Sequence, residues 1–262
     1  MYNDIKLLDT VTISKIAAGE IIERPSSVVK ELVENSIDAN SSNIIIQINN
    51  GGKDYIRVTD NGFGIKDDQI DLAFLRHSTS KISSIDDLEN IYSLGFRGEA
   101  LASICMVSKV ETLTRTADNI KGIRVLLEEG EIVNKDWIGC PVGTSMIIKD
   151  LFYNLPVRQK FLKQYTVEGN LISDVVYKLA LAKPEISFKY IKDNRIILKT
   201  PGNSDISSNL YSVLGKEFIN NLKYLSYDDE HLKIEGFLSK NNFYRGNRKH
   251  QYIFVNGRWV KN

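Results

Sequence analysis

The segment from residue 25 to residue 60 constrains the fold more than any other part of the sequence. Pro25 suits the first turn of a helix, and residues 26–39 predict that helix. Residues 43–48, NIIIQI, predict a buried strand, and residues 54–60, DYIRVTD, alternate as a return strand after the turn NNGG. The segment therefore predicts a helix followed by a β-hairpin.

The predicted helix places its polar side chains unusually close together. Its apolar face consists of Val29, Leu32, Val33 and Ile37. Glu31, Asn35 and Asp38 lie in another arc, about one turn apart and next to Val28 and Ser36. Most amphipathic helices present a solvated polar face, so the arc alone does not identify a functional site.

Composition places only loose limits on the fold and function of the chain. The chain has 262 residues, of which 42% are hydrophobic and 26% charged, with a net charge of +1. That length permits one large domain or two smaller ones. Cys105 and Cys140 give neither metal-ligand spacing nor a disulfide framework, which favours a reducing intracellular setting. The N-terminus predicts no signal peptide, and we expect no membrane span.

The remaining elements are predicted from periodicity. Residues 66–76 predict a short helix and residues 77–98 a long mobile loop. A helix is predicted next over 99–107, then strands near 108–115, 121–128 and 144–150, a helix over 168–183, a hairpin over 186–200, a short helix over 206–215 and strands over 232–239 and 251–257. The turn TPGNSD, 200–205, marks the best boundary. We therefore divide the chain into domains 1–204 and 205–262, and we expect the second to be cut short.

Three loop motifs suggest a ligand site. In DNGFG, Asp60 can accept a hydrogen bond from an exocyclic amine, and Gly62 and Gly64 allow close approach of a ligand, although an Asx turn is the simpler interpretation. GFRGEAL, 95–101, leads into a helix whose N-terminus suits an anion, although it is no P-loop. In PVGTSMII, the Thr144 hydroxyl could reach a phosphate or a fixed water, although the segment also fits an ordinary strand start.

The order of these motifs is more specific than any one of them. A helix with E-x-x-x-N-x-x-D precedes a strand ending D-x-G-x-G, a long lid, G-x-x-G-E and a strand opening with G-T. This order resembles the four nucleotide-binding motifs of the GHKL ATPase superfamily. KIAAGEIIERPSSVVKELVENSIDA, VTDNGFGI, RHSTSKI, LGFRGEALASI, GTSMIIKDLFYNLPVRQKFL and FVNGR resemble the MutL family of DNA mismatch repair proteins, over essentially the whole chain.

The resemblance implies a fold and a cofactor. The fold is α+β: a GHKL (Bergerat) two-layer α/β sandwich with a mixed, mostly antiparallel sheet. Part of a second α/β domain, resembling the ribosomal S5 domain 2-like fold, follows it. ATP and Mg²⁺ are the implied cofactors.

The resemblance also implies site roles. Glu31 matches the general base that activates the attacking water, and Asn35 matches the Mg²⁺ ligand. Asp38 is expected to be a structural carboxylate close to that site. Asp60 matches the residue that accepts from the adenine amine. The other expected nucleotide-binding residues are Gly62, Gly64, Thr79, Ser80, Lys81, Gly95, Phe96, Arg97, Gly98, Glu99, Ala100, Leu101 and Thr144.

Partners follow from the same resemblance. ATP is expected to order residues 1–10 and 77–98, so that two copies dimerise, or a heterodimer forms in a eukaryote. Weak, sequence-independent DNA binding is expected, with 158–163 and 245–250 as local basic clusters. A mismatch-sensor protein of the MutS type and downstream repair factors are the expected protein partners. The location would be cytoplasmic and nucleoid-associated in a bacterium, or nuclear in a eukaryote.

Two departures leave alternatives open. The family places a lysine that reaches the γ-phosphate in an H-P-x-K motif, and none of the three His residues is followed by Pro. We therefore expect impaired turnover, and no nuclease activity because the C-terminal dimerisation region is missing. The alternative functions are a nucleotide-binding scaffold without useful turnover and the gyrase-type ATPase module of a topoisomerase.

Overall fold

An eight-stranded sheet with helices on one face organises the chain. The structure, a computed structural model, describes residues 6–81, 94–95 and 98–260. The helices are α1 Thr10–Ile21, α2 Pro25–Asp38, α3 Ala100–Val107, α4 Pro156–Phe161, α5 Tyr165–Ala182, α6 Ile206–Leu214 and α7 Lys216–Asn220. The strands are β1 Asn43–Asn49, β2 Tyr55–Asp60, β3 Lys109–Arg115, β4 Gly122–Glu128, β5 Glu131–Ile138, β6 Gly143–Lys149, β7 Ser187–Lys192, β8 Arg195–Lys199, β9 Leu222–Asp228, β10 Lys233–Ser239, β11 Ile253–Val255 and β12 Arg258–Val260.

The large sheet is mixed but mostly antiparallel. Its strand order is β5-β4-β3-β6-β2-β1-β7-β8. Neighbouring strands in it are antiparallel except β1 and β7, which pair in parallel. In this order the last residues of β2 lie beside the first residues of β6. The loop after Asp60 and the loop before Thr144 therefore meet at one edge of the sheet.

One face of the sheet forms the core. In β1 the side chains of Ile44, Ile46 and Ile48 are buried, whereas Ile45 between them is 40% exposed. This alternation follows from the two-residue period of a strand. Helices α2 and α5 pack on the buried side, giving two layers. The predicted α+β class with a mostly antiparallel sheet is confirmed.

The sequence prediction failed for two elements of this sheet region. Residues 66–76, predicted as a helix, form turns and a short 3₁₀ helix at Leu72–Phe74, because only Ile70 and Phe74 find buried positions. Strand β5 was missed. It lies at the sheet edge, and its side chains are exposed on both faces, so its sequence EIVNKDWI carries no apolar alternation.

Residues after the predicted boundary at 204 form smaller units. Helices α6 and α7 are followed by two two-stranded sheets, β9–β10 and β11–β12, of which α7, β9 and β12 were not predicted. Asn209 of α6 donates to the Ala180 carbonyl of α5 at 2.9 Å, a buried contact. The division at 204/205 and the resemblance to the ribosomal S5 fold remain predictions. No helix in the described residues is long and apolar enough to span a membrane.

Candidate functional site

Helix α2 supplies the polar arc predicted from sequence. Pro25 occupies the first turn, where its missing N–H is not needed. Val29 and Leu32 bury the opposite side against the core. The packing of that side fixes the rotation of the helix, so Glu31 and Asn35 remain half-buried at its accessible side.

The two glutamates of α2 share one lysine. The Lys30 ammonium lies 3.1 Å from Glu31 Oε1 and 2.9 Å from Glu34 Oε2. Burial lowers the pKa of Lys30, but the two carboxylates outweigh it and raise the pKa overall. Burial raises the pKa of Glu34, and Lys30 offsets this only in part. The Glu31 side chain is 28% exposed and that of Glu34 11%, so Glu31 is the carboxylate that water can reach.

A lysine from the predicted lid sits on the predicted metal ligand. Lys81 Nζ donates to Asn35 Oδ1 at 2.9 Å and to Asp38 Oδ2 at 2.5 Å. The Lys81 and Asp38 side chains are 20% and 11% exposed, so this is a largely buried ion pair. The Asn35 oxygen therefore faces a positive charge.

Asp38 also holds the segment that opens the GFRGEAL motif. Its Oδ1 accepts from the Leu94 N–H at 3.0 Å and its Oδ2 from the Gly95 N–H at 3.2 Å. Asn35 Oδ1 lies 3.9 Å from where a Gly95 side chain would begin. The carboxylate thus ties this segment to α2 one turn after Asn35, which fits the structural role expected of Asp38.

Asp60 is the last residue of β2, and its carboxylate is held by hydrogen bonds from three neighbouring segments. Its Oδ1 accepts from the Gly62 N–H at 2.9 Å and the Thr144 N–H at 3.2 Å, and its Oδ2 accepts from the Ser36 hydroxyl at 2.8 Å. Burial raises the pKa of Asp60, and these hydrogen bonds act against that rise. The Ser41 hydroxyl also lies close to this carboxylate, but it donates to the Ser36 carbonyl oxygen at 2.6 Å. A carboxylate has about four lone-pair sites, so one of them, on Oδ2, remains for a ligand.

The glycines after Asp60 are required by close packing. A Cβ at Gly64, where φ is +73°, would lie 2.3 Å from the Arg115 carbonyl oxygen. A Cβ at Gly62 would lie 2.5 Å from the Ala39 carbonyl oxygen. Both positions therefore exclude a side chain, and the DNGFG loop lies flat between the end of α2 and the end of β3.

The segment before α3 lies against the predicted lid. Gly98 packs on the Ser78 backbone, where a Cβ would be 2.6 Å from the carbonyl oxygen. Glu99 Oε1 lies 3.4 Å from His77 Nδ1. Thr79 Oγ1 accepts from the Lys81 N–H at 3.2 Å. These contacts bring the two predicted phosphate-side segments together.

Some predicted residues are not brought into this cluster. Ser80 is exposed, and Ala100 and Leu101 form the first turn of α3, with Leu101 packed against the core. Phe96 and Arg97 lie outside the described residues. The same holds for residues 82–93, the greater part of the predicted lid.

Two residues that sequence reasoning missed complete the site. Ser36 donates to Asp60, and the Thr114 hydroxyl lies 3.1 Å from the Thr144 hydroxyl. Ser36 was visible as the neighbour of Asn35 in the polar arc. Thr114 occupies a buried position in the alternating pattern of β3. A hydroxyl at a position that faces the core was the only hint in the sequence that Thr114 has a role.

Comparison with known proteins bears on both regions of the chain. Residues 22–137 match a family described as histidine kinase-, DNA gyrase B-, and HSP90-like ATPase. Residues 210–262 match the C-terminal domain family of DNA mismatch repair proteins.

Individual relatives match almost the whole chain. The DNA mismatch repair protein MutL of Agathobacter rectalis is 51% identical over 98% of this chain, and that of Halothermothrix orenii 48% over 99%. The solved Aquifex aeolicus MutL ATPase domain complexed with ADP is 32% identical, with a TM-score of 0.71 over 92% of this chain and 85% of that one. The chain belongs to the MutL family. It spans 40% of the length of each of the two curated relatives.

Membership of the MutL family confirms the resemblance found in the motifs. A further solved structure, the N-terminal domain of a DNA repair protein, is 31% identical with a TM-score of 0.82 over 97% of this chain and 80% of that one. The GHKL ATPase fold predicted for the first domain is confirmed. The MutL assignment also decides against the gyrase-type topoisomerase module. The roles of individual residues in this MutL-family chain remain predictions.

Proposed function

We propose that this chain binds ATP with Mg²⁺ and hydrolyses it slowly, as the N-terminal module of a DNA mismatch repair protein. The base of the nucleotide would lie at Asp60 and its phosphates at the segment that begins at Gly95. Membership of the MutL family, and the ADP complex of the Aquifex aeolicus relative, support this proposal.

One observation carries the proposal: α2 holds both ends of the nucleotide site. Ser36 binds the Asp60 carboxylate, and Asp38 binds the amides of Leu94 and Gly95. Asn35 directly precedes Ser36 in sequence and lies on the same arc of the helix as Asp38. A ligand that reaches from a hydrogen-bonding base to an anionic group would therefore pass along α2.

The residues at the centre of this arc fit Mg²⁺. No group of three or more His, Cys, Asp or Glu side chains among the described residues is placed to hold a metal ion. Mg²⁺ needs no such cage, because it keeps several waters and takes one or two protein oxygens beside substrate phosphates. Asn35 Oδ1 already accepts from the Lys81 ammonium, a stand-in for a cation. When bound, Mg²⁺ would neutralise charge on the phosphates.

Glu31 is the proposed general base. Its carboxylate would take the proton of the attacking water, a role that typically contributes about 10²–10⁴-fold in rate. The Lys30 ammonium lies 3.1 Å from Oε1 and pairs with this carboxylate.

The experiment separates binding from hydrolysis. In the Glu31→Ala variant we expect ATP affinity close to that of the wild type, measured by calorimetry with Mg²⁺, and hydrolysis reduced at least 100-fold. Glu230→Ala, which removes an exposed carboxylate far along the chain, is the matched control. Equal hydrolysis by Glu31→Ala and wild type would remove Glu31 from the base role.

The same assay distinguishes the alternative function. Binding without turnover in the wild-type chain would favour the nucleotide-binding scaffold. Absence of binding would contradict the site itself. Slow turnover lost in Glu31→Ala supports the ATPase.

We further propose that ATP acts as a switch. Ordering of residues 1–10 and 77–98 around the nucleotide would allow two copies to dimerise and gate a DNA clamp, which then signals to a MutS-type sensor and downstream repair factors. Lys81 supports this proposal, because its ion pair with Asp38 links the start of the lid to the site helix. The expected location is cytoplasmic in a bacterium and nuclear in a eukaryote.

DNA binding is proposed at the two basic clusters, residues 158–163 and 245–250. Arg248 and Lys249 are exposed, which leaves both charges accessible to a phosphate backbone. Arg245 is less available, because it pairs with Glu217 at 3.0 Å. The net charge of +1 is consistent with weak binding.

A further inference from the structure

Thr114 joins the two loops that flank Asp60. It lies in β3 opposite Thr144 of β6 and is only 2% exposed. Its Oγ1 accepts from the Ile65 N–H, just after the DNGFG motif, at 2.8 Å. It also lies 3.1 Å from the Gly143 carbonyl oxygen and 3.1 Å from Thr144 Oγ1.

Counting protons assigns a direction to each of these hydrogen bonds. A hydroxyl has one proton and two lone pairs. The Ile65 N–H can only donate and the Gly143 carbonyl can only accept. All three hydrogen bonds can form together only if the single Thr114 proton goes to Gly143, and in that arrangement the Thr114 oxygen accepts from Thr144. The proton of the Thr144 hydroxyl then points at Thr114.

We propose that Thr114 is a positioning residue that makes Thr144 a pure hydrogen-bond acceptor toward the nucleotide base. The Thr144 N–H is already bound to Asp60 Oδ1, so Thr144 offers a ligand only the lone pairs of its hydroxyl. Asp60 Oδ2 offers a lone pair as well. Two acceptors in direct contact suit the two N–H groups of an exocyclic amine and oppose a carbonyl oxygen at the same position. The inference rests on the proposed function and assigns to Thr114 and Thr144 the preference of the site for a 6-amino purine.

The test compares two nucleotides that differ at that position. ATP carries an amine at C6 and inosine triphosphate a carbonyl oxygen. Calorimetry would give both dissociation constants, with Mg²⁺, for the wild type, Thr114→Val and Thr114→Ser. In Thr114→Val the Thr144 proton loses its acceptor and can turn toward a carbonyl ligand. We expect the preference for ATP to fall roughly 3- to 10-fold, the value of about one neutral hydrogen bond. Thr114→Ser keeps the hydroxyl and should keep the preference.

A merely structural role predicts a different result. The valine variant also leaves the Ile65 N–H without its partner, which weakens the loop for both nucleotides alike. Equal losses for ATP and inosine triphosphate would therefore overturn the inference. Wild-type protein that binds neither nucleotide would instead contradict the proposed function.

A second variant covers the case in which Thr114→Val does not fold, as judged by urea denaturation. Thr144→Ala removes the acceptor itself from a half-buried side chain. It should reduce the preference for ATP to a similar extent, and an unchanged preference would overturn the inference. Where both single variants fold, the double variant should lose no more preference than Thr144→Ala alone.

Discussion

Replacing Asp60 by asparagine tests base recognition with little change of shape. The amide oxygen can keep the bonds from the Gly62 and Thr144 N–H groups. The amide nitrogen would then face Ser36, whose hydroxyl can donate instead to the Leu32 carbonyl, 3.1 Å away. Ser36 thereby becomes an acceptor for the new amide. The internal hydrogen bonds can all be remade, and what changes is the group presented to the ligand.

The magnitude follows from that exchange. The free lone pair on Asp60 Oδ2 is replaced by an N–H that meets the amine of the base. An unpaired buried donor costs about 1–3 kcal/mol, so ATP affinity should fall about 5- to 150-fold. Asp68→Asn, an exposed change of the same type in the neighbouring loop, should leave ATP affinity unchanged.

The same variant has a pH signature. Burial raises the pKa of Asp60 above its ordinary 3.8, so the folded state binds this proton more tightly than the unfolded chain. The free energy of unfolding of the wild type therefore falls as pH rises from about 3.8 through the raised folded value. Asparagine does not titrate. The difference in unfolding free energy, Asp60→Asn minus wild type, should grow in favour of the variant across that range and stay constant above it.

Two measurements check this reasoning. Calorimetric titration with ATP gives the affinity, and urea denaturation at several pH values gives the stability difference. Wild-type affinity in Asp60→Asn would refute the assignment of Asp60 to the base. A stability difference that shrinks as pH rises would refute the raised pKa.

Two further predictions concern the phosphate side and DNA. Asp38→Asn should weaken ATP binding and lower the free energy of unfolding by about 1–3 kcal/mol. The reason is that it breaks the ion pair with Lys81 and weakens the hydrogen bonds from the Leu94 and Gly95 amides. An unchanged free energy of unfolding in urea would contradict this. Replacing Arg248 and Lys249 by alanine should reduce the slope of log affinity for duplex DNA against log salt by up to about 2, measured by fluorescence anisotropy, and an unchanged slope would place the contact elsewhere.

The sequence predicted the elements whose patterns are strong and local. Helix α2 was predicted from Pro25 and an apolar stripe. The hairpin of β1 and β2 was predicted from an apolar run, the turn NNGG and an alternating return strand. Strand β5 could not be predicted in this way. An edge strand exposed on both faces needs no apolar alternation, and its pairing with β4 supplies the order.

The same distinction applies to the site. Glu31, Asn35 and Asp60 were predicted because each belongs to a motif that occupies one continuous segment of the sequence. The role of Thr114 arises from partners at residues 65 and 143, which lie 49 and 29 positions away. No local pattern encodes such a contact, because the sheet order alone brings the three segments together. The ion pair between Lys81 and Asp38 is of the same kind, because its partners lie 43 positions apart.

The contact between Lys178 and Trp259 gives the chain an optical probe of its own. The ammonium lies 3.7 Å from the centre of the indole ring and links α5 to β12, while α5 also packs against α2. The chain has two tryptophans, and the other, Trp137, sits on the exposed edge strand β5. With Trp137 replaced by phenylalanine, the emission of the remaining indole reports whether the β11–β12 hairpin stays docked on α5. A nucleotide titration followed by this emission would show, without any attached dye, whether nucleotide binding beside α2 changes the structure beyond residue 205.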